Sequence, residues 1–216
     1  MSPLETLGFA LGTSFASGLN LYATVAAAGL FQYFGLIHLP TQLQVLANPI
    51  VVGLALALFV IEFVADKIPY VDSVWDTVHT FIRPPAAALL SYSAFAGGVP
   101  EAWRVGAALL AGGVALTSHS AKATTRAAAN VSPEPFSNWG LSLVEDALAV
   151  FLAWMAAAHP LVTAGIVVAL VILAVLLIGK LFRFFRQAFA GFSGKQPLAE
   201  PGPDSPTHPQ AQPPGG

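Results

Sequence analysis

The chain has 216 residues, 56% hydrophobic and 9% charged, with a formal net charge of −2 and a mean hydropathy of +0.70. Soluble domains carry about 25% charged residues, and nine basic plus eleven acidic residues cannot cover a 22.4 kDa surface in water, so a water-soluble globule and a disordered main body are both excluded. The absence of cysteine excludes disulfides, thiolate zinc sites and cysteine nucleophiles, and the charge balance supplies no basic field for nucleic acid.

In chain order, a first apolar stretch runs from Leu4 to Leu36; the N-terminus carries Glu5 and has no Lys or Arg before this stretch, so no secretory signal is read. A second runs from Asn48 to Asp66. A third region is broken: Val71 to Ile82 is amphipathic, Arg83-Pro84-Pro85 follows, and an apolar stretch continues to Gly98. The fourth runs from Trp103 to Ala129, the fifth from Trp139 to Ala158, and the sixth from Leu161 to Gly179. A span needs about 20 mostly apolar residues. The pattern therefore predicts an all-α, polytopic helical membrane protein with about six spans, one of them broken or re-entrant at Pro84-Pro85. The membrane domain covers residues 1–190, and the Pro/Gly-rich segment 191–216 is expected to be a disordered cytoplasmic tail.

Loop charges orient these spans. Lys67, Arg83, Lys122, Arg126, Lys180, Arg183, Arg186 and Lys195 fall on one side, and Arg104 alone on the other. Lys and Arg accumulate in the cytoplasm, so both termini are expected there. Pro69 and Pro133 stop helices two and four. Asp72 or Ser73 is expected to cap the third region, with Asp76 completing a capping box, and Ser137 or Asn138 to cap the fifth span. Gly8…Thr13-Ser14 returns as Gly112…Thr117-Ser118, and Pro69-x3-Ser73-x-Trp75 as Pro133-x3-Ser137-x-Trp139. The first register hints at a weak inverted 3+3 repeat of the kind found in transporters. Recurrent helix-end chemistry explains both equally well.

Charges at the centre of a membrane helix cost roughly 2.5–3.5 kcal/mol on insertion scales, so polar groups inside spans mark a site or an ion pair. Thr13, Ser17, Asn20 and Thr24 lie along one face of the first span, with Ser14 adjoining it, a pattern that also serves helix packing. Glu62 and Asp66, four apart, face one way and repel unless a cation lies between them. In the third region Asp72, Asp76, His79, Thr80 and Arg83 oppose an apolar stripe of Val71, Val74, Trp75, Val78, Phe81 and Ile82. Such a helix either lies flat at the interface or lines a wet cavity as half of a broken span. His119, Lys122, Arg126 and Asn130 share a face of the fourth span. Glu145 and Asp146 of the fifth reach a similar depth, roughly 9–12 Å at 1.5 Å per residue, and so should pair with Lys122 and Arg126. No spacing matches a metal, nucleotide or nucleophile fingerprint, and Gly8, Gly12 and Gly18 read as packing residues. No cofactor and no enzyme activity are expected. A lipid-phosphate enzyme, with the Lys/Arg face as its clamp, ranks last.

The strings ASGLNLYATV (16–25), EFVADKIP (62–69), DSVWDTVHTFIRP (72–84) and His119-Ser-Ala-Lys122 through Ser132-Pro-Glu-Pro-Phe-Ser-Asn-Trp139 resemble a bacterial membrane family catalogued as domain of unknown function 4126. The resemblance extends to about Phe185. It implies a bacterial multi-pass protein of the inner membrane and supplies no residue roles.

Two functional expectations follow. In the first, Ser14, Ser17, Asn20, Glu62, Asp66, His79, Arg83, His119, Lys122, Arg126, Glu145 and Asp146 line a polar cavity through which a transporter or permease passes a small polar or ionic solute. In the second, the same charges are interhelical locks in a structural or interaction protein. The partners expected are the bilayer and such a solute, with no nucleic acid.

Overall fold

The computed structural model describes residues 1–68, 70–95, 99–130 and 135–193. Among these the chain is helical throughout, with no strand. The helices are α1 (Pro3–Leu19), α2 (Leu21–Tyr33), a 3₁₀ helix (Thr41–Ala47), α3 (Pro49–Ala65), α4 (Val71–His79), α5 (Arg83–Ala94), α6 (Glu101–Ala129), α7 (Pro135–Ala158) and α8 (Pro160–Ser193). Met1–Phe182 form one compact unit, and a second begins at Arg183. Residues 194–216 of the expected tail, and the helix stops Pro69 and Pro133, lie outside the described residues.

Among the described residues, two helices are long and apolar enough to cross a membrane, Phe136–Ala158 and Pro160–Gln187. A third candidate forms if Thr41–Ala47 and Pro49–Ala65, bent by 66°, are taken together. The other spans read from the sequence are cut into shorter helices or carry charge. The first apolar stretch is not one helix. It breaks at Asn20, which is extended (φ −150°, ψ 105°) and serves at once as the C-cap of α1 and the N-cap of α2. The Asn20 side-chain oxygen accepts from the Ala23 N–H at 2.8 Å. In an unbroken helix that N–H would bond the Leu19 carbonyl four residues back, so the Asn20 cap frees this carbonyl for other donors.

The third region also departs from expectation. Its N-cap is Tyr70, at φ 70° and without a side-chain bond, rather than Asp72 or Ser73. Asp72 Oδ1 instead accepts from the neighbouring Ser73 N–H, and Asp76 points inward. The chain bends before the prolines, at Thr80–Ile82, and Pro84 and Pro85 sit in the first turn of α5, where proline costs no internal hydrogen bond. Helix α7 begins at Pro135, two or three residues before the caps expected at Ser137 or Asn138.

Burial runs opposite to that of a protein in water. Val71, Val74, Val78 and Phe81 are exposed, while Asp72, Asp76, His79 and Arg83 on the other side of the same segment are buried. The same holds along α8, where Ile172, Leu173, Val175 and Leu176 are all exposed. An apolar exterior around buried charge fits a lipid solvent.

Helix α1 is the centre of the packing and touches α5, α6 and α7. Phe15, Ala16 and Leu19 join Val114, Leu152 and Val167 in a shared apolar core. Small residues permit this closeness: a Cβ on Gly8 would strike the Pro160 carbonyl, one on Gly12 would meet Ala156 and Thr163, and one on Gly18 would strike the Ala115 carbonyl and Ser118. The packing role read for these glycines stands. Gly18→Ala should therefore cost about 1–3 kcal/mol by overpacking, read as a lowered unfolding midpoint in detergent. Gly113→Ala in α6, where a Cβ meets nothing within 4 Å, should be neutral or slightly stabilising.

Candidate functional site

Ionisable residues from α3, the turn that follows it, and α4 to α7 converge on one buried network. Its cations are Arg83, the first residue of α5, and Lys122 and Arg126, one turn apart on α6. Lys122 Nζ lies 3.2 Å from Glu62 Oε1 and 3.0 Å from Asp66 Oδ2. This is the cation that the Glu62/Asp66 pair requires, and it comes from α6. Arg126 Nη2 bonds Asp66 Oδ2 at 2.9 Å and Glu145 Oε2 at 2.5 Å, and its Nη1 donates to the Asp66 carbonyl at 2.8 Å. Arg83 Nη2 bonds Glu62 Oε1 at 2.5 Å. Each of these side chains is buried, with Glu145 the most accessible at 11%.

The helix break feeds the same network. Arg83 Nη1 donates to the carbonyls of Gly18 at 2.8 Å and Leu19 at 2.9 Å, and Lys122 Nζ donates to the Leu19 carbonyl at 3.1 Å. Two protein cations thus sit on backbone oxygens released where α1 gives way to α2. Asn20 completes the junction by donating its Nδ2 hydrogen to Asp146 Oδ1 at 2.8 Å.

The hydrogen bonds fix the state of His119. Arginine has only hydrogens to give, so the 3.0 Å contact of Arg83 Nη1 with His119 Nδ1 makes that nitrogen an acceptor. The remaining proton is on Nε2, facing the Asp76 carbonyl at 3.0 Å and Thr80 Oγ1 at 2.9 Å. His119 is therefore neutral. His79 Nδ1 donates to the Trp75 carbonyl at 2.8 Å, its Nε2 lies 3.1 Å from the Tyr22 hydroxyl, which can give or take a hydrogen bond, and its ring is stacked on Trp75.

Of the residues singled out in the sequence, Glu62, Asp66, Arg83, His119, Lys122, Arg126 and Glu145 are drawn into direct contact. The expected pairing of Lys122 and Arg126 with Glu145 is present, with Lys122 the more distant at 3.9 Å. Asp146 takes no cation within 4 Å among the described residues and turns to Asn20 instead, because the helix break brings that amide to it. Ser14 Oγ spends its hydrogen on the Ala10 carbonyl of its own helix, and Ser17 Oγ has no partner among the described residues. Tyr22 and the carbonyls of Gly18 and Leu19 are participants that sequence reasoning missed. Asp76 lies 3.8 Å from Arg83 Nη2 and 3.9 Å from Lys122 Nζ. The sequence placed it on the polar face of the third region without marking it as a site residue, although its four-residue spacing from Asp72 and seven-residue spacing from Arg83 was a usable signal.

An apolar groove of about 720 Å³ lies between Pro3, Leu7, Phe95, Trp103 and Leu110, and a smaller one of about 450 Å³ beside His38, Thr41 and Ala158. Neither contains a member of the network, whose charges meet directly. No group of three or more His, Cys, Asp or Glu side chains is arranged to hold a metal among the described residues.

The family described as a domain of unknown function (DUF4126) matches residues 7–180. The chain belongs to the DUF4126 family. That stretch contains every residue of the network, so the family's domain and the buried charge cluster coincide. No curated protein and no solved structure matches the chain.

Proposed function

We propose that this DUF4126 protein is a transporter or permease-like membrane protein for a small polar or ionic solute, in a closed state with its polar groups paired. The observation that carries the reading is the helix broken at Asn20 inside the ion network, with the Gly18 and Leu19 carbonyls turned to cations. Discontinuous helices whose freed carbonyls hold cations are how many transporters build a mid-membrane site. Here Arg83 and Lys122 occupy that site. A solute anion competing for their hydrogens, or a cation competing for the carbonyls, would have to displace contacts already in place, which is the requirement for alternating access. The reading includes six spans in a bacterial inner membrane, both termini in the cytoplasm as the loop charges indicate, a weak inverted 3+3 relation, no catalytic step, and no partner beyond lipid and solute.

The second reading, a non-transporting protein whose charges are interhelical locks, is favoured by the dryness of the pairs. A lock, however, needs neither a broken helix nor an unequal number of charges, and both are present.

The test uses the full chain purified into liposomes. Thermal shift selects the inorganic ions and small charged metabolites that stabilise the protein, and flux of each is then measured. The expected result is flux of at least one of them above protein-free liposomes, abolished in the charge-balanced Lys122→Met/Asp66→Asn variant. A folded protein that moves none of the solutes that stabilise it would leave the lock reading standing.

A further inference from the structure

We propose that Asp76 is a proton-binding site, so that the network carries one exchangeable proton in the closed state. Four carboxylates, Glu62, Asp66, Asp76 and Glu145, surround three cations, Arg83, Lys122 and Arg126. Adding Asp146 on one side and the half-buried Lys67 on the other leaves the surplus at one. Asp72, on the same helix as Asp76, is answered separately by the Asn130 amide at 3.0 Å. Of the histidines that face Asp76, His119 on α6 is neutral by its contact with Arg83, and His79, on the same helix as Asp76, is buried with two uncharged partners, the Trp75 carbonyl and the Tyr22 hydroxyl, where a lone positive charge is disfavoured.

The surplus localises on one residue. Glu62, Asp66 and Glu145 each have a cation within 3.0 Å on one oxygen. Asp76 has none closer than 3.8 Å. It is 3% exposed, and neither Oδ1 nor Oδ2 has a hydrogen-bond partner among the described residues. A buried carboxylate left without donors neutralises rather than stay charged, and carboxylates crowded at one site share protons instead of all ionising. A proton alone fits, because it needs no cavity and no ligand shell, and the grooves described lie elsewhere. Protonation brings the four-against-three set to balance. Acidic residues inside membranes serve as proton relays in pumps and transporters. On the transport reading above, and resting on it, the proton at Asp76 is the coupling ion.

The experiment is infrared spectroscopy of the full chain in lipid nanodiscs at neutral pH, reading the C=O stretch of a protonated carboxyl. The band should be present in the wild type, shift on exchange into heavy water, and be lost in Asp76→Asn. The same variant imitates the protonated side chain, so its unfolding midpoint should equal or exceed that of the wild type, whereas Asp66→Asn, which takes a bonded carboxylate from both Lys122 and Arg126, should lower it. A band that survives in Asp76→Asn, or is lost in Asp146→Asn instead, overturns the assignment, as does an Asp76→Asn protein destabilised as much as Asp66→Asn. The band can appear in a protein that moves no solute, and flux can be found without the band, so this proposal and the transport reading fail separately.

Discussion

Replacing Lys122 with methionine should destabilise the protein by about 3–5 kcal/mol, the cost of breaking a buried ion pair from one side. The ammonium separates Glu62 Oε1 from Asp66 Oδ2, at 3.2 and 3.0 Å. Methionine fills similar space and leaves the two carboxylates facing each other in a dry interior. The Leu19 carbonyl loses one of its two donors at the same time. Removing the partner charge as well should recover much of the loss. In Lys122→Met/Asp66→Asn, Glu62 keeps Arg83 and Glu145 keeps Arg126, so the remaining charges stay matched. The double variant should therefore be more stable than Lys122→Met alone, with a coupling of at least about 1 kcal/mol in the cycle completed by Asp66→Asn. Equilibrium unfolding in a bilayer-mimetic detergent measures all four corners. Additive behaviour would mean that the distances describe proximity without energetic pairing.

The sequence carried the solvent and the ionisable cast, and missed how the cast is wired. Composition alone placed the chain in lipid. Helical spacing placed Glu62 with Asp66, and His119 with Lys122 and Arg126, on common faces, and those faces do meet. Depth matching then joined α6 to α7, its neighbour in sequence, and found the Arg126–Glu145 contact. It could not find Asp66, which lies 60 residues from Arg126, because nothing local encodes which helices become neighbours. The helix break was concealed by hydrophobicity that continues on both sides of Asn20. One signal was available: a single helix from Leu4 to Leu36 would be roughly 50 Å long at 1.5 Å per residue, well beyond a hydrocarbon core of about 30 Å. The role of Asp76 was hidden because the sequence left its helix two settings, flat at the interface or lining a wet cavity, and did not decide which way the polar face turns. With lipid outside, Asp72, Asp76, His79 and Arg83 become interior residues together.

Arg83 supports the second large prediction. One guanidinium bonds the Gly18 and Leu19 carbonyls and His119 through Nη1, and Glu62 through Nη2. It therefore holds the α1–α2 break, the histidine tautomer and one carboxylate in a single planar fork. Arg83→Gln should cost about 3–5 kcal/mol, since it strands Glu62 with Lys122 as its sole cation and removes the only donor to the Gly18 carbonyl shown by the described residues. Arg83→Lys retains the charge and should still cost about 1–3 kcal/mol, because an ammonium cannot span Gly18, His119 and Glu62 from one position. The size of the loss alone would not separate a clamp on the helix break from a generic buried cation. Amide hydrogen exchange separates them. If Arg83 secures the junction, exchange should quicken at residues 19–24 in both variants while the Arg126 end of α6 stays protected. If Arg83 serves only to balance charge, Arg83→Lys should leave the junction as slow as in the wild type, and the freed carbonyls would no longer be evidence that the break is a built binding element.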